Sequence, residues 1–184
     1  MRRVRAPVTR RAALGGAAAV VLASCGGGDP PPSTGPRPGS GAALLGSLLA
    51  LERAVIAAYE TSAEVLRGDA LRYAAVVRGH EENHVRFLEQ AIRDLGGEPP
   101  AGRLAEEYER TFPRLRDEED GLRFLEDLEE RQVRAYLEAL AELPDRDLRL
   151  SIAGIGADEG SQLAVIRVLA GRPASPHPFE TGAL

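Results

Sequence analysis

The chain reads as an all-α protein, a four-helix bundle made of two helical hairpins joined by a long crossover. Three observations predict this. Ala, Leu, Glu and Arg dominate, and these residues favour helix over strand. Four stretches repeat apolar residues at three- and four-residue steps, the mark of a helix with one buried face. Turn-forming residues divide those stretches into two close pairs, with a long connection between the pairs.

The helical stretches run over about 42–67, 70–96, 121–143 and 146–170. Gly68-Asp69 breaks the first pair and Pro144-Asp145 the second, where Asp145 or Asp147 can cap the last helix. The connection from Gly96 to Gly121 has room for a short helix from Leu104 to Phe112, stopped at Pro113.

The termini have a different composition. Residues 1–24 open with five arginines, continue through the small and apolar Ala12–Ser24 stretch and end before Cys25. That stretch is too short to span a bilayer as a helix and has the layout of a secretion signal. Thr9-Arg10-Arg11-Ala12-Ala13-Leu14 resembles a twin-arginine export signal, with Arg10 and Arg11 as the pair. Leu22-Ala23-Ser24-Cys25 resembles a lipobox, where Cys25 is acylated after cleavage; the alternatives are an uncleaved anchor or a plain signal peptide. Residues 25–41 are rich in Gly, Pro and Ser and read as a flexible tether, and residues 172–184 as a Pro-rich tail along the surface, with His177 exposed. Cys25 is the only cysteine, so no intramolecular disulfide is available to an exported chain. This reading places the protein at the outer face of the cytoplasmic membrane or in the periplasm, held to the membrane by lipid on Cys25.

All 23 basic residues are arginine. Removal of residues 1–24 takes away five of them and no acid, leaving 18 Arg against 28 Asp+Glu, so the formal charge moves from −5 to −10. An acidic surface argues against nucleic acid as a partner and against electrostatic docking on anionic lipid. Protein partners stay open, and the chain is compatible with a homodimer.

The core-facing stripes carry the chemistry. They read Leu48, Glu52, Val55, Tyr59, Ser62, Leu66 on the first helix and Val77, Glu81, His84, Leu88, Ala91, Leu95 on the second. The third gives Leu122, Leu125, Glu129, Gln132, Tyr136, Ala139, Leu143, and the fourth Ile152, Ile155, Glu159, Gln162, Ile166, Leu169. Each stripe is apolar at its ends with a Glu near the middle. Four unpaired buried carboxylates would cost several kcal/mol each, and a bound cation accounts for all of them. The halves also repeat. Leu51–Tyr59 (LERAVIAAY) aligns with Leu128–Tyr136 (LEERQVRAY), and 29 residues from Glu52 to Glu81 compare with 30 from Glu129 to Glu159. A two-helix unit used twice would bring the carboxylates to one level about a pseudo-two-fold axis.

These motifs resemble the di-iron carboxylate sites of the ferritin-like superfamily over about Ala42 to Gly171. The family pattern is a Glu with a Tyr seven residues later on the first and third helices, and Glu-x-x-His on the second and fourth. Glu52/Tyr59, Glu81/His84 and Glu129/Tyr136 match it; Glu159 matches, but Gln162 stands where the second His belongs. The resemblance implies Glu52 and Glu129 as terminal ligands, Glu81 and Glu159 as bridging ligands and His84 as a ligand to one metal, iron or manganese. It also implies that Tyr59 and Tyr136 hydrogen-bond carboxylates across the bundle. An amide is a poorer ligand than imidazole, so Gln162 leaves three arrangements open: a pair with water in place of imidazole, a single metal at Glu81/His84, or a relic with protonated carboxylates.

Superfamily members oxidise ferrous iron or reduce or dismutate peroxide, so the implied activity is that of a metal-dependent oxidoreductase. The alternative is a metal-free bundle that binds a partner or supports the envelope. With no cysteine beyond Cys25, a self-contained rubrerythrin is excluded. His80 and His84 also form a His-x-x-x-His pair, but no metalloprotease spacing accompanies it, and His80 reads as a flanking residue or one that supports a metal ligand. Glu60, Glu64, Glu82, Glu89, Glu126 and Glu130 fall off the stripes and read as solvated faces. Gly154, Gly156 and Gly160 point to a close helix approach or a local distortion in the last helix.

Overall fold

A computed structural model describes residues 40–182. The expected export signal, Cys25 and the tether up to residue 39 lie outside the described residues. Among these there are five helices and no strand: α1 Ser40–Ser62, α2 Gly68–Asp94, α3 Ala105–Glu109, α4 Glu118–Glu142 and α5 Arg146–Leu169. α1 pairs with α2 and α4 with α5 as hairpins, α1 packs along α4, and α2 faces α5 more loosely. The short α3 in the crossover lies beside α1. This is the all-α bundle that the periodicity predicts.

Local chemistry sets the helix ends. Asp117 caps α4 by accepting from the Asp120 N–H at 3.0 Å, so α4 starts three residues before the predicted 121. Asp145 caps α5 by accepting from the Leu148 N–H at 2.7 Å. α2 and α5 end alike. Gly96 and Gly171 take φ values of +75° and +72°, and the residue after each donates back to the carbonyl five before it, Gly97 to Ile92 at 2.9 Å and Arg172 to Arg167 at 2.8 Å. Glycine is the residue that adopts this left-handed cap without strain. The cap on α2 has a consequence for the predicted stripe. α2 stops at Asp94 rather than 96, and Leu95, expected inside, is 46% exposed because the chain has already turned away. α1 likewise ends at Ser62, five residues short, although Leu66 in the following turn is still buried.

The core has two apolar clusters. One gathers Leu45, Leu48, Leu49, Leu88, Ile92, Leu143 and Ile152; the other gathers Val55, Ala58, Leu66, Val77, Leu122, Leu125 and Ile166. Burial of each of these Leu, Ile and Val side chains stabilises the fold by about 1.5–3 kcal/mol. The four stripe glutamates fall between these clusters in sequence on every long helix. A polar layer is thus enclosed by apolar ones. α1 is long and apolar enough to cross a membrane by composition alone, yet it packs as a core helix with Glu52 wholly buried at its middle.

The glycines of α5, the last long helix, separate into two cases. A side chain at Gly156 would meet the Tyr136 Cβ at 3.1 Å, so this glycine lets α5 approach α4 beside Tyr136. Gly154 and Gly160 face open space. One surface expectation is corrected. Glu126 is buried and Glu130 largely so, because the buried Arg167 of α5 lies against both, at 3.1 and 2.7 Å. Arg167 also pairs with Glu180 of the tail and Arg172 with Glu126. Arg134 donates to the Gly182 carbonyl, so the C-terminal segment is fastened along α4 and α5. His177 is exposed.

Candidate metal centre

Helical phase brings the stripe glutamates inward, and their partners are then set by the neighbouring helices. Glu52, Glu81, Glu129 and Glu159 are all fully buried, and Tyr59 and Tyr136 nearly so. The tyrosines make reciprocal bonds across the α1–α4 contact. Tyr136 on α4 donates to Glu52 Oε1 on α1, and Tyr59 on α1 donates to Glu129 Oε1 on α4. The internal repeat is therefore visible as a pseudo-symmetric exchange of hydrogen bonds.

α2 and α5 complete the group. Glu81 and His84, one turn apart, face Glu159. His84 Nδ1 lies 3.0 Å from Glu159 Oε1 and 3.8 Å from both Glu52 Oε2 and Glu81 Oε2. One ligand atom from each of Glu52, Glu81, His84 and Glu159 lies within 4.8 Å of all the others. That span suits one ion bound at about 2.0–2.4 Å from its ligands. Glu129 and Gln162 are not among these four. Glu129 is turned to Tyr59, and the Gln162 amide donates to Asp158 at 3.2 Å, one turn earlier on its own helix.

Two residues missed by the sequence reading belong here. Gln132 donates from Nε2 to Glu52 Oε2 at 3.1 Å and to Glu81 Oε2 at 3.0 Å, fastening the two carboxylates together. The signal was present: Gln132 lies on the buried stripe, and the repeat pairs it with the aliphatic Val55. Asp158 has its Oδ2 3.4 Å from His84 Nε2 and 3.2 Å from His80 Nδ1. Its neighbour Glu159 gave only a weak hint, since a residue one step off the stripe is normally solvated.

The donor count falls short of the acceptor count. Glu81 Oε1, Glu129 Oε2, both Glu159 oxygens, Gln132 Oε1, Gln162 Oε1 and His84 Nδ1 are buried without a hydrogen-bond partner. His84 Nδ1 and Glu159 Oε1 lie 3.0 Å apart as an ion-pair contact, not as a hydrogen bond. Unpartnered buried polar groups each cost about 1–3 kcal/mol. A hydrogen-bonded core of this size would satisfy them; a cation placed among them would do so too.

The charges show the same crowding. Burial, reinforced by the neighbouring glutamates, raises Glu52 and Glu129 well above the usual carboxylate range. Burial, with Glu81 nearby, pushes Glu159 up to about 7. Burial also acts on Glu81, but its close approach to Glu52 and His84 and the hydrogen bond from Gln132 outweigh it and hold Glu81 low. Burial alone would lower His84; the Glu159, Glu52 and Glu81 carboxylates around it push it up to about 12. The site thus favours positive charge at its centre, whether carried by protons or by a metal ion.

A helical bundle enclosing a buried Glu/His cluster defines a class of protein suited to a metal site of carboxylates and imidazole. Residues 41–172 match the ferritin-like domain, and the chain belongs to that family. No curated protein matches the chain.

Proposed function

We propose that this protein is an exported, lipid-tethered metalloprotein that binds iron or manganese and carries out oxidoreductase chemistry on dioxygen, peroxide or ferrous iron. The observation that carries the metal reading is the convergence of unpartnered buried ligand atoms on Glu81, His84 and Glu159. The donor set fits, because carboxylates and a neutral imidazole suit iron and manganese. Glu52, Glu81, His84 and Glu159 would hold the first ion. Glu129, with Oε2 unpartnered, and Gln162, with Oε1 unpartnered, are the residues left for a second and weaker one.

A bound iron or manganese ion supplies reversible one-electron exchange. The chain's own residues do the rest. Tyr136 holds Glu52 and Tyr59 holds Glu129 in fixed rotamers. Asp158 faces Nε2 of His84, which keeps Nδ1 directed at the cluster. The apolar layers on either side exclude bulk water and strengthen the electrostatics of the cluster. Membrane attachment through Cys25 and export through Arg10-Arg11 complete the reading and place this chemistry outside the cytoplasm.

Gln132 favours a second reading. Its amide links Glu52 and Glu81 without any ion, as expected of a metal-free bundle that serves as a partner-binding or envelope protein. Metal analysis separates the two. Protein reconstituted without oxygen with ferrous iron or manganese, then desalted, should retain about one equivalent. Retention of none, with no gain on adding either ion in excess, rejects the metalloprotein reading in favour of the second.

A further inference from the structure

The buried cluster needs a way in. Glu52, Glu81, Glu129, Gln132 and Glu159 have no exposed surface. Apolar side chains close the site along the bundle axis, and the two Tyr–Glu bonds close it between α1 and α4. Of the four residues whose ligand atoms converge, only His84 reaches the outside, with its side chain 11% exposed at the α2–α5 seam. That seam is the loosest of the four side-by-side helix pairings.

We propose that His80 and Asp158 form the loading station through which a divalent cation reaches the buried cluster. This rests on the metal-binding reading above. Four side chains make a line from solvent to core, and their exposure falls along it: His80 at 46%, Asp158 at 38%, His84 at 11% and Glu159 at 0%. The steps between them are 3.2 Å, 3.4 Å and 3.0 Å. A cation moving inward would therefore have a protein ligand within reach at each stage, so it need not shed its whole water shell at once.

The chemistry of the outer pair suits transit. One imidazole and one carboxylate are ligands for first-row divalent ions. Two protein ligands with water filling the rest make a weak site, which can release the ion to the richer cluster beneath. The acidic protein surface raises the local cation concentration at such a mouth. His80 has Asp158 as its only polar partner among the described residues, so its position serves no other polar network. Asp158 has a second role. It faces His84 Nε2 and accepts from Gln162, so it also positions cluster residues. His80 touches none of the buried carboxylates, and that difference separates loading from binding.

The test uses the full chain stripped of metal and mixed rapidly with Co2+, whose d–d absorbance reports its arrival among protein ligands. His80→Ala removes one of the two ligands at the mouth and should slow loading about tenfold, the low end of what loss of a supporting residue costs a metal site. Its final stoichiometry and affinity should stay within about twofold of the unsubstituted protein. His80→Asp, which puts a carboxylate ligand at the mouth in place of the imidazole, should recover most of the rate. Asp158→Asn should slow loading and also weaken final affinity by about 10–100-fold, because it alters the partner of His84. His80→Ala loading at the unsubstituted rate overturns the loading station while leaving the metal reading intact. A fall in final affinity matching its fall in rate also overturns it, since His80 would then be a ligand. Failure of the unsubstituted protein to take up Co2+, Fe2+ or Mn2+ overturns both readings.

Discussion

Tyr136 and Glu52 stand 84 positions apart in the chain and meet inside the protein, the phenol of α4 donating to the carboxylate of α1. Gly156 on α5 leaves room for the Tyr136 ring stem. Gln132, one turn before Tyr136, binds the other oxygen of Glu52. Both oxygens of this carboxylate are therefore held by α4, and its orientation toward His84 is a property of the α1–α4 contact.

Tyr136→Phe keeps the ring and removes the donor. Glu52 Oε1 would then be buried without its partner, at a cost of about 1–3 kcal/mol. Urea unfolding of metal-free protein should show that loss. Metal affinity should fall about 10–100-fold, as for other residues that orient a ligand. Unchanged stability and affinity would mean that the phenol does not position Glu52.

Gln162→His supplies the imidazole that α5 lacks. Titration with ferrous iron under anaerobic conditions should show a second equivalent bound more tightly than in the unsubstituted protein, by about 10–100-fold. His84→Ala should abolish the first equivalent, because no imidazole then remains in the cluster. Two equal equivalents in the unsubstituted protein would show that Gln162 carries no such cost.

Metal uptake should release protons, and affinity should rise with pH. Protons and a cation compete for the same groups, since ligands bind in deprotonated form. Carboxylates hold the His84 proton up to about 12, burial pushes Glu159 up to about 7, and Glu52 is raised as well. Each proton displaced favours binding at higher pH, so apparent affinity should increase steadily from pH 5.5 to 8. Calorimetry in two buffers of different ionisation heat counts the protons. A heat independent of buffer would contradict the prediction.

The tail contact should have the opposite acid sensitivity from a raised group. Burial acts to raise Glu180, but the hydrogen bond from Arg167 outweighs it and leaves its carboxyl below the ordinary value. A group depressed in the folded state contributes stability above its unfolded pKa, about 4.3, and loses it as pH falls through the folded value. Glu180→Gln should therefore destabilise the protein at pH 7, and the difference from the unsubstituted protein should shrink below about pH 4. Thermal melts at pH 7 and pH 3.5 provide the comparison.

Cys25→Ala would remove the acyl acceptor that the proposed lipid attachment requires. The protein should move from the membrane fraction to the soluble fraction, and lysines in place of Arg10-Arg11 should block export. A variant that still needs detergent for extraction would refute attachment through Cys25.

The helices were legible from local rules. Apolar spacing shows which face of each helix is buried whatever it packs against, and caps such as Asp145 mark ends through bonds made within a few residues. The central glutamates could be picked out for the same reason: a charge on an apolar stripe is conspicuous by phase alone. The internal repeat added the expectation that the four would meet. What tertiary structure decided was partnership. Nothing within a few residues of Gln132 says that its amide will lie between Glu52 and Glu81, or that Glu129 will turn to Tyr59 and stand outside the closest four. Glu126 and Glu130 look solvated in sequence and are drawn inside by Arg167, which lies on another helix. Periodicity describes one helix against an unspecified interior. The fate of a polar side chain depends on which donor, acceptor or charge the neighbouring helix brings to it, and that is set only when the helices dock.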